Sequence, residues 1–184
     1  MRSVFFTEYI KNFRIVGAVA PSSRHLAARM VASIDFARVK IIVEYGPGTG
    51  IFTDQIVERM KPGTKLIAIE TNSAFYKILS DKYASIDTVE IIHDSAENIN
   101  SILKQRGVSS LDCVISGLPF AALPSSVSHT ILESTAKLLG NSGVFITFQY
   151  TLFKKELFKS YFADIKVTRE FRNIPPAYIL KCSQ

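Results

Sequence analysis

The sequence predicts a doubly wound α/β fold, a mostly parallel sheet with helices on both faces. Three observations carry this. From Ile41 onward, short β-branched runs are continuously apolar rather than alternating, as strands covered on both faces require. Segments of helical periodicity separate them. A glycine-rich turn, Gly46 to Gly50, follows the first run directly.

The elements follow in order. Strands are expected at 41–44, 65–70, 89–93, 111–116 and 144–148, with helices at 51–60, 72–83, 96–105 and 125–139 between them. Pro62-Gly63 ends the first of these helices. Two strand-like runs, 165–168 and 178–182, close the chain, and with no useful helix between them they should pair antiparallel. The first forty residues differ in character. Val4, Phe5, Tyr9, Phe13 and Val16 fall at near-helical spacing, with Arg2, Lys11 and Arg14 on the flank, which describes a short amphipathic helix. Ala20-Pro21 then resets the chain, and Ser22 or Ser23 can cap a second helix over 24–34. The expected organisation is an N-terminal helical segment, 1–40, and a main domain, 41–184.

Composition narrows the classes. A chain of 184 residues with 47% hydrophobic and 21% charged residues can build one core without disulfides or metal. Cys113 and Cys182 sit in apolar runs and form no C-x-x-C pair, so they read as buried, reduced thiols of a cytoplasmic protein. Three scattered histidines give no metal-ligand spacing, and no metal is expected. The opening residues are broken by charges and do not read as a signal peptide, and no apolar run reaches the roughly 20 residues of a spanning helix. The net charge of +6 is unevenly spread, at +5 over 1–40, −3 over 41–149 and +4 over 150–184. Basic chain ends favour polyanions, either nucleic acid or an anionic membrane surface, although a merely solvated surface fits equally.

The strongest chemical signal is Glu44-Tyr45-Gly46-Pro47-Gly48-Thr49-Gly50. Glycines at i, i+2 and i+4 let the backbone approach a ligand, and the helix that follows points its free amides into that space. Ile51 stands where a dinucleotide fingerprint needs its third glycine, and no Gly-Lys-Ser/Thr follows for a Walker loop. Glu70, at the carboxyl end of the second strand, faces the same crevice and can accept both hydroxyls of a ribose. It could instead cap the next helix. Asp94, after the third strand, can accept an adenine amino hydrogen, but Asp94-Ser95-Ala96-Glu97 equally scans as a capping box.

Glu44, Gly46, Gly48, Gly50, Glu70 and Asp94 together resemble the first three motifs of class I S-adenosylmethionine methyltransferases. The resemblance runs from Ile41 to the end and implies a Rossmann-like, seven-stranded sheet whose last hairpin includes an antiparallel strand. It implies that Glu44 and the glycines approach the methionine part of S-adenosylmethionine, that Glu70 holds the ribose, and that Asp94 with Ser95 holds the adenine.

A fourth block, Ser116-Gly117-Leu118-Pro119-Phe120, resembles the Asn-Leu/Ile-Pro-Tyr/Phe loop of ribosomal RNA adenine dimethyltransferases, with Gly117 in place of the asparagine. In those enzymes the asparagine carbonyl orients an adenine amino group whose lone pair is delocalised. Gly117 cannot do so, and the Ser116 hydroxyl is the nearest substitute, also counted with the cofactor-binding residues. Gly17 to Arg24, Ser116 to Pro119 and Arg172 to Ala177 are similar to segments of bacterial phospholipid N-methyltransferases. That resemblance implies a phospholipid acceptor, the amine headgroup of phosphatidylethanolamine, at an anionic membrane surface, with the protein peripheral at its inner face. Phe120 and Tyr178 are the candidates to line the acceptor pocket, where aromatic faces attract a methylated ammonium, though both also suit a core. His25 is a candidate proton acceptor, although a lone histidine near a helix start also suits a structural role, and no general base is assigned. RNA adenine methylation and a non-catalytic cofactor- or membrane-binding module are the alternatives.

Overall fold

The computed structural model describes residues 24–184. The expected amphipathic segment over 2–16, the Ser22 or Ser23 cap and most of the Gly17 to Arg24 block lie outside the described residues.

Helix α1 (Arg24–Val31) buries Leu26, Ala27, Met30 and Val31, two adjacent pairs one turn apart, so it packs into the core of the sheet. Strand β1 (Ile41–Tyr45) follows, its start clamped by Asp112, whose Oδ2 accepts from the amides of Lys40 (2.7 Å) and Ile41 (2.8 Å). Next come α2 (Ile51–Val57), β2 (Lys65–Glu70), α3 (Ser73–Tyr83) and β3 (Val89–His93). The helix expected over 96–105 opens as a 3₁₀ turn, Ala96–Asn98, and continues as α4 (Ile99–Lys104). Then follow β4 (Cys113–Ser116), α5 (Ser125–Leu139), β5 (Val144–Gln149), α6 (Lys155–Lys159), β6 (Asp164–Glu170) and β7 (Ala177–Ser183). Helix α6 is an addition to the expected elements. It is one short stretch with a single fully buried side chain, Phe158, too brief to leave a period in the sequence.

The seven strands form one sheet in the order β3-β2-β1-β4-β5-β7-β6. All neighbours from β3 to β5 are parallel, and β7 inserts antiparallel between β5 and β6. This is the Rossmann-like arrangement expected. The direction of winding reverses between β1 and β4, which opens a crevice at the carboxyl ends of those strands. Because β7 runs against β5, the β6–β7 connection, 171–176, returns to that same carboxyl edge.

Two cores sandwich the sheet, and successive residues of each strand alternate between them. Ile42, Leu66, Cys113, Ile115, Ile146 and Ile179 face the layer of α1 and α2, whereas Val43, Ile67, Val114, Phe145 and Leu180 face α4, α5 and α6. On the first side, α2 and α3 are joined through Asp54, which accepts from Lys82 and from the Tyr83 hydroxyl. Desolvation pushes the Asp54 carboxyl up, but those two donors prevail and hold it below its ordinary value. On the second side Phe145 stacks with Phe158 and Phe162, and Phe120 meets Phe145 and Phe158 edge-on. Both cysteines are buried, and desolvation pushes their thiols up to about 12, so neither is a ready nucleophile.

One buried polar link crosses the second core. The Tyr45 hydroxyl lies 3.0 Å from Thr135 Oγ1, which itself donates to the Ile131 carbonyl at 2.6 Å, so Tyr45 is the donor of the pair. Thr135→Val keeps the volume and strands the phenol in an apolar layer. It should cost about 1–3 kcal/mol of unfolding free energy, read from denaturant midpoints with an unchanged slope.

Candidate cofactor and acceptor site

The site is built where β1, β2 and β4 end. The β1 hydrogen-bonding pattern runs on into the turn, with the Gly46 amide donating to the Ile69 carbonyl at 2.9 Å. Gly46, Gly48 and Gly50 then adopt φ of 64°, 59° and 83°, conformations that glycine enters without steric cost. At Gly50 there is a second reason, since a Cβ there would stand 2.6 Å from Leu79 Cδ2. Gly50 is the N-cap of α2 and has no side chain to satisfy the first amides of that helix.

Glu70 holds this turn in place. Its side chain is buried, Oε2 accepting from the Gly48 amide and Oε1 from the Asn72 amide, both at 2.8 Å. The carboxylate therefore joins the tip of the glycine turn to the entry of α3, while each oxygen keeps a second lone pair for a further donor. The cap of α3 is Asn72, whose Oδ1 accepts from the Ala74 and Phe75 amides. Glu70 is thus a turn-anchoring residue, and the helix cap falls to a neighbour visible in the sequence.

Glu44 lies one strand over and is fully buried. Thr53 Oγ1 donates to its Oε2 at 2.8 Å, and Oε1 has no hydrogen-bond partner among the described residues. Desolvation pushes its carboxyl up to about 8, with the Thr53 bond pulling it down and the charges of Glu70 and Asp54 adding to the rise. Thr53 left no signal in the sequence, since a threonine in the first turn of a helix has many uses.

After β3, the capping role expected of Asp94 falls to Ser95. Ser95 is the N-cap of the 3₁₀ turn, its Oγ accepting from the Glu97 amide at 3.3 Å. Asp94 Oδ1 accepts from the Ser95 amide and from Asn98 Nδ2, both at 2.7 Å. Between this loop and Glu70, the Tyr76 and His93 rings stack at 5.0 Å, and His93 Nε2 lies 3.1 Å from the Thr71 carbonyl. This flat pair was not anticipated, because the two rings come from different elements.

Three candidates lie at the end of β4, in the loop after it and on β7. Ser116 is fully buried and its Oγ is turned back to accept from the Leu118 amide at 3.2 Å, so the hydroxyl is held inside its own loop. Phe120 is also fully buried, edge-on to Phe145 and Phe158, and its ring supports the loop from the core instead of lining a pocket. Tyr178 is half-buried on β7, and the cation over its ring is Arg169, with the guanidinium carbon 5.1 Å from the centroid. Gln149 was missed. It is buried at the end of β5, and its Nε2 donates to the Leu118 carbonyl at 3.3 Å.

At Gly117 backbone meets backbone. Its amide donates to the Tyr45 carbonyl at 2.8 Å, and a Cβ built on it would stand 2.8 Å from the Gly46 carbonyl oxygen. The β4 loop therefore lies backbone-to-backbone on the glycine turn, with Leu118 Cδ2 3.0 Å from a Cβ at Gly46 on the other side.

The family profile described as ribosomal RNA adenine dimethylase matches residues 22–161. The chain belongs to that family. It is a class I, S-adenosylmethionine-dependent methyltransferase. Among curated relatives, the ornithine lipid N-methyltransferase of Singulisphaera acidiphila is 28% identical over 97% of this chain and 94% of its own length. The probable ribosomal RNA small subunit methyltransferase A of Methanosarcina barkeri is 26% identical over 60% of this chain and only 34% of its own length. Among solved structures, an O-methyltransferase from Bacillus cereus in complex with SAH superposes with a TM-score of 0.72 at 12% identity, over 96% of this chain and 89% of that one. An rRNA methylase from Streptococcus thermophilus superposes with a TM-score of 0.62 at 17% identity, over 90% and 99%. At such identities these two bear on the fold alone.

The residues present fit S-adenosylmethionine. A buried carboxyl oxygen on Glu44 lacks a partner, the turn is made of three positive-φ glycines, and Glu70 retains acceptor capacity. Among the described residues, no group of His, Cys, Asp and Glu could hold a metal ion.

Two outcomes follow. Glu70→Ala releases both the Gly48 and Asn72 amides and should weaken cofactor binding by roughly a hundredfold, about 3 kcal/mol, in calorimetry. Glu44→Gln tests the buried carboxyl. The unfolded chain loses this proton near its ordinary 4.5 while the folded protein keeps it to about 8, so the folded state binds more protons in between and stability falls as pH rises through that window. Glutamine can still accept from Thr53 and has no charge to bury. The variant should therefore melt about 5 °C or more above wild type at pH 8, with the difference shrinking towards pH 4.5.

Proposed function

We propose that this methyltransferase acts on the amine headgroup of a membrane lipid at the bilayer surface. The observation that carries the reading is the end-to-end match to a lipid N-methyltransferase, 97% of this chain and 94% of the relative, set against matches to RNA enzymes that cover about a third of their length. Phosphatidylethanolamine is the acceptor implied by the phospholipid-family blocks, and ornithine lipid is the one named for the full-length relative. Both present a primary amine on an acylated carrier.

Glu44 and the turn Gly46 to Gly50 hold the methionine part, Glu70 the ribose, and Asp94 with Ser95 the adenine. The bound cofactor supplies an electrophilic methyl group on a sulfonium. The chain's own work is positional. Gln149 and the Gly117 amide fix the β4 loop, so that the Leu118 region presents a set backbone to the acceptor. An alkyl amine needs only to lose its proton and be held in line, which suits a site without a nucleophile–base constellation. Gly117 supports the same reading from the opposite direction, because the position where an adenine-orienting asparagine is expected has no room for a Cβ.

RNA adenine methylation is the second reading, favoured by the family match over residues 22–161 and by the net charge of +6. The experiment offers labelled S-adenosylmethionine with vesicles of phosphatidylethanolamine, vesicles of ornithine lipid and, separately, bulk RNA. Label should enter lipid and not RNA. The lipid rate should climb with pH through the alkaline range, because the ammonium must deprotonate before attack, whereas an adenine amino group is already neutral. Gly117→Asn should lower lipid methylation by roughly a hundredfold, the scale that an ångström of misplacement costs, without opening activity on RNA. Label in RNA alone at matched salt would overturn the lipid acceptor.

A further inference from the structure

Most of the exposed large apolar side chains of the described residues gather at one place. Leu152 and Phe153 follow β5, and Phe171 and Ile174 lie in the β6–β7 connection. Phe153 is 87% exposed, Ile174 83% and Phe171 67%, values that the core-packing rule for such residues does not predict. The strand pairing makes the two loops neighbours. Gln149, at the end of β5, pairs with Tyr178, while Glu170 pairs with Ala177 across the mouth of the hairpin. Both loops stand on the carboxyl edge of the sheet, the edge that also carries the glycine turn and the β4 loop.

Cations frame this apolar cluster. Lys154 and Lys155 continue the first loop, and Arg169 and Arg172 flank the second. The Arg169 guanidinium lies 4.8 Å from the Phe171 ring centroid, so charge and ring share one rim. The nearest acids offset them only in part. Buried Glu170 pairs with Arg172, its Oε1 accepting from the Arg172 amide and, at 3.3 Å, from the guanidinium Nε, while Glu156 pairs with Lys159 on α6. The connection itself is held firmly, with Asn173 Nδ2 donating to the Pro175 carbonyl at 2.8 Å, so its apolar side chains are presented from a braced loop.

We infer that the β5–α6 and β6–β7 loops form a docking surface for an anionic lipid bilayer, with Phe153, Phe171 and Ile174 entering the interface and the four cations meeting the headgroups. Charge complementarity selects this occupant. A two-fold contact between copies of the chain would set Lys154, Lys155, Arg169 and Arg172 against their own counterparts. The chain's N-terminal residues are basic as well, with Arg2, Lys11 and Arg14 against Glu8 alone in the first sixteen. Exposed aromatic and aliphatic side chains within a basic rim are the composition of an interfacial anchor. Seated this way, the carboxyl edge faces the membrane. The surface is built from other residues than the expected N-terminal amphipathic segment and deepens the lipid reading, on which its choice of partner rests.

The test uses the full chain and vesicles of phosphatidylglycerol with phosphatidylcholine, which contain no primary amine, so binding is read without turnover. The triple variant Phe153→Ser, Phe171→Ser, Ile174→Ser should sediment with these vesicles roughly tenfold less than wild type, while its melting temperature and cofactor affinity stay unchanged. Phe153→Cys labelled with an environment-sensitive dye gives a second readout from a single substitution, since Cys113 and Cys182 are buried and poorly reactive. Its emission should shift to the blue with anionic vesicles, should not shift with phosphatidylcholine alone, and should revert at high salt. Wild-type sedimentation by the triple variant, or a blue shift that follows protein concentration without lipid, would overturn the assignment, the latter in favour of a contact between chains. Loss of docking and loss of the lipid acceptor remain distinguishable. Methyl transfer to phosphatidylethanolamine in detergent micelles reports the acceptor without the bilayer, and vesicle binding reports the bilayer without the acceptor.

Discussion

The site depends on one close approach, that of Gly117 to the carbonyl of Gly46. The parallel register of β1 and β4 brings the ends of both strands level, with Tyr45 opposite Ser116, and the chains then leave the sheet in contact. No side chain fits between them at this point. Glu70 closes the arrangement from the other side by binding the Gly48 amide, so the turn is held between a backbone wall and a buried carboxylate. A parallel sheet with a reversal of winding leaves a crevice at this position, but the crevice alone is soft. Two glycines and one carboxylate give it a fixed shape, and that fixity lets binding free energy serve orientation of the reacting groups.

Much of this was legible in the sequence, and the reasons differ by element. Continuous apolar runs bounded by glycine or proline marked the parallel strands well, because a strand covered on both faces has few other compositions. The antiparallel pairing of β6 with β7 followed from the lack of a useful helix between them. Helix α6 was not visible, since five residues with one buried side chain hold no period. At the site, glycines and strand-end carboxylates were readable because each answers a local demand of backbone or charge. Thr53, Gln149 and the stacking of Tyr76 on His93 were not, because their roles come from partners distant in the chain. Ser116 and Phe120 show the converse error. Position within a motif located them correctly, but whether a side chain points into the site or the core is settled by packing, and both are fully buried.

The carboxyl bound by Gly48 and the carboxyl bound by Thr53 meet the same problem differently. Glu70 is buried, but each of its oxygens accepts from a backbone amide, one of them in the turn that it holds. Glu44 has one hydroxyl donor and an unpaired oxygen, and burial keeps its proton on to about pH 8. Glu70 thus organises backbone through both of its oxygens, whereas burial keeps Glu44 a neutral acid at neutral pH. A cationic group brought beside Glu44 would favour its ionised form and pull its acidity back down. The buried acid is in this sense a receptor for positive charge, costly to the empty protein and relieved by a cationic ligand.

The proposed acceptor and the proposed docking surface constrain one another. A headgroup amine held in a bilayer cannot reach a crevice that faces away from the membrane, so the enzyme's orientation is part of its substrate recognition. Exposed apolar residues on the β5–α6 and β6–β7 loops lie on the same edge of the sheet as the cofactor crevice, and an orientation set by them turns the crevice towards the lipid. Seated so, the protein meets its acceptor at the high local concentration of a membrane surface, and the site is left to supply only the last alignment of nitrogen and methyl. With Phe120 in the core and the Tyr178 ring covered by Arg169, the proposal assigns discrimination of the acceptor to the bilayer and to the unyielding backbone around Gly117.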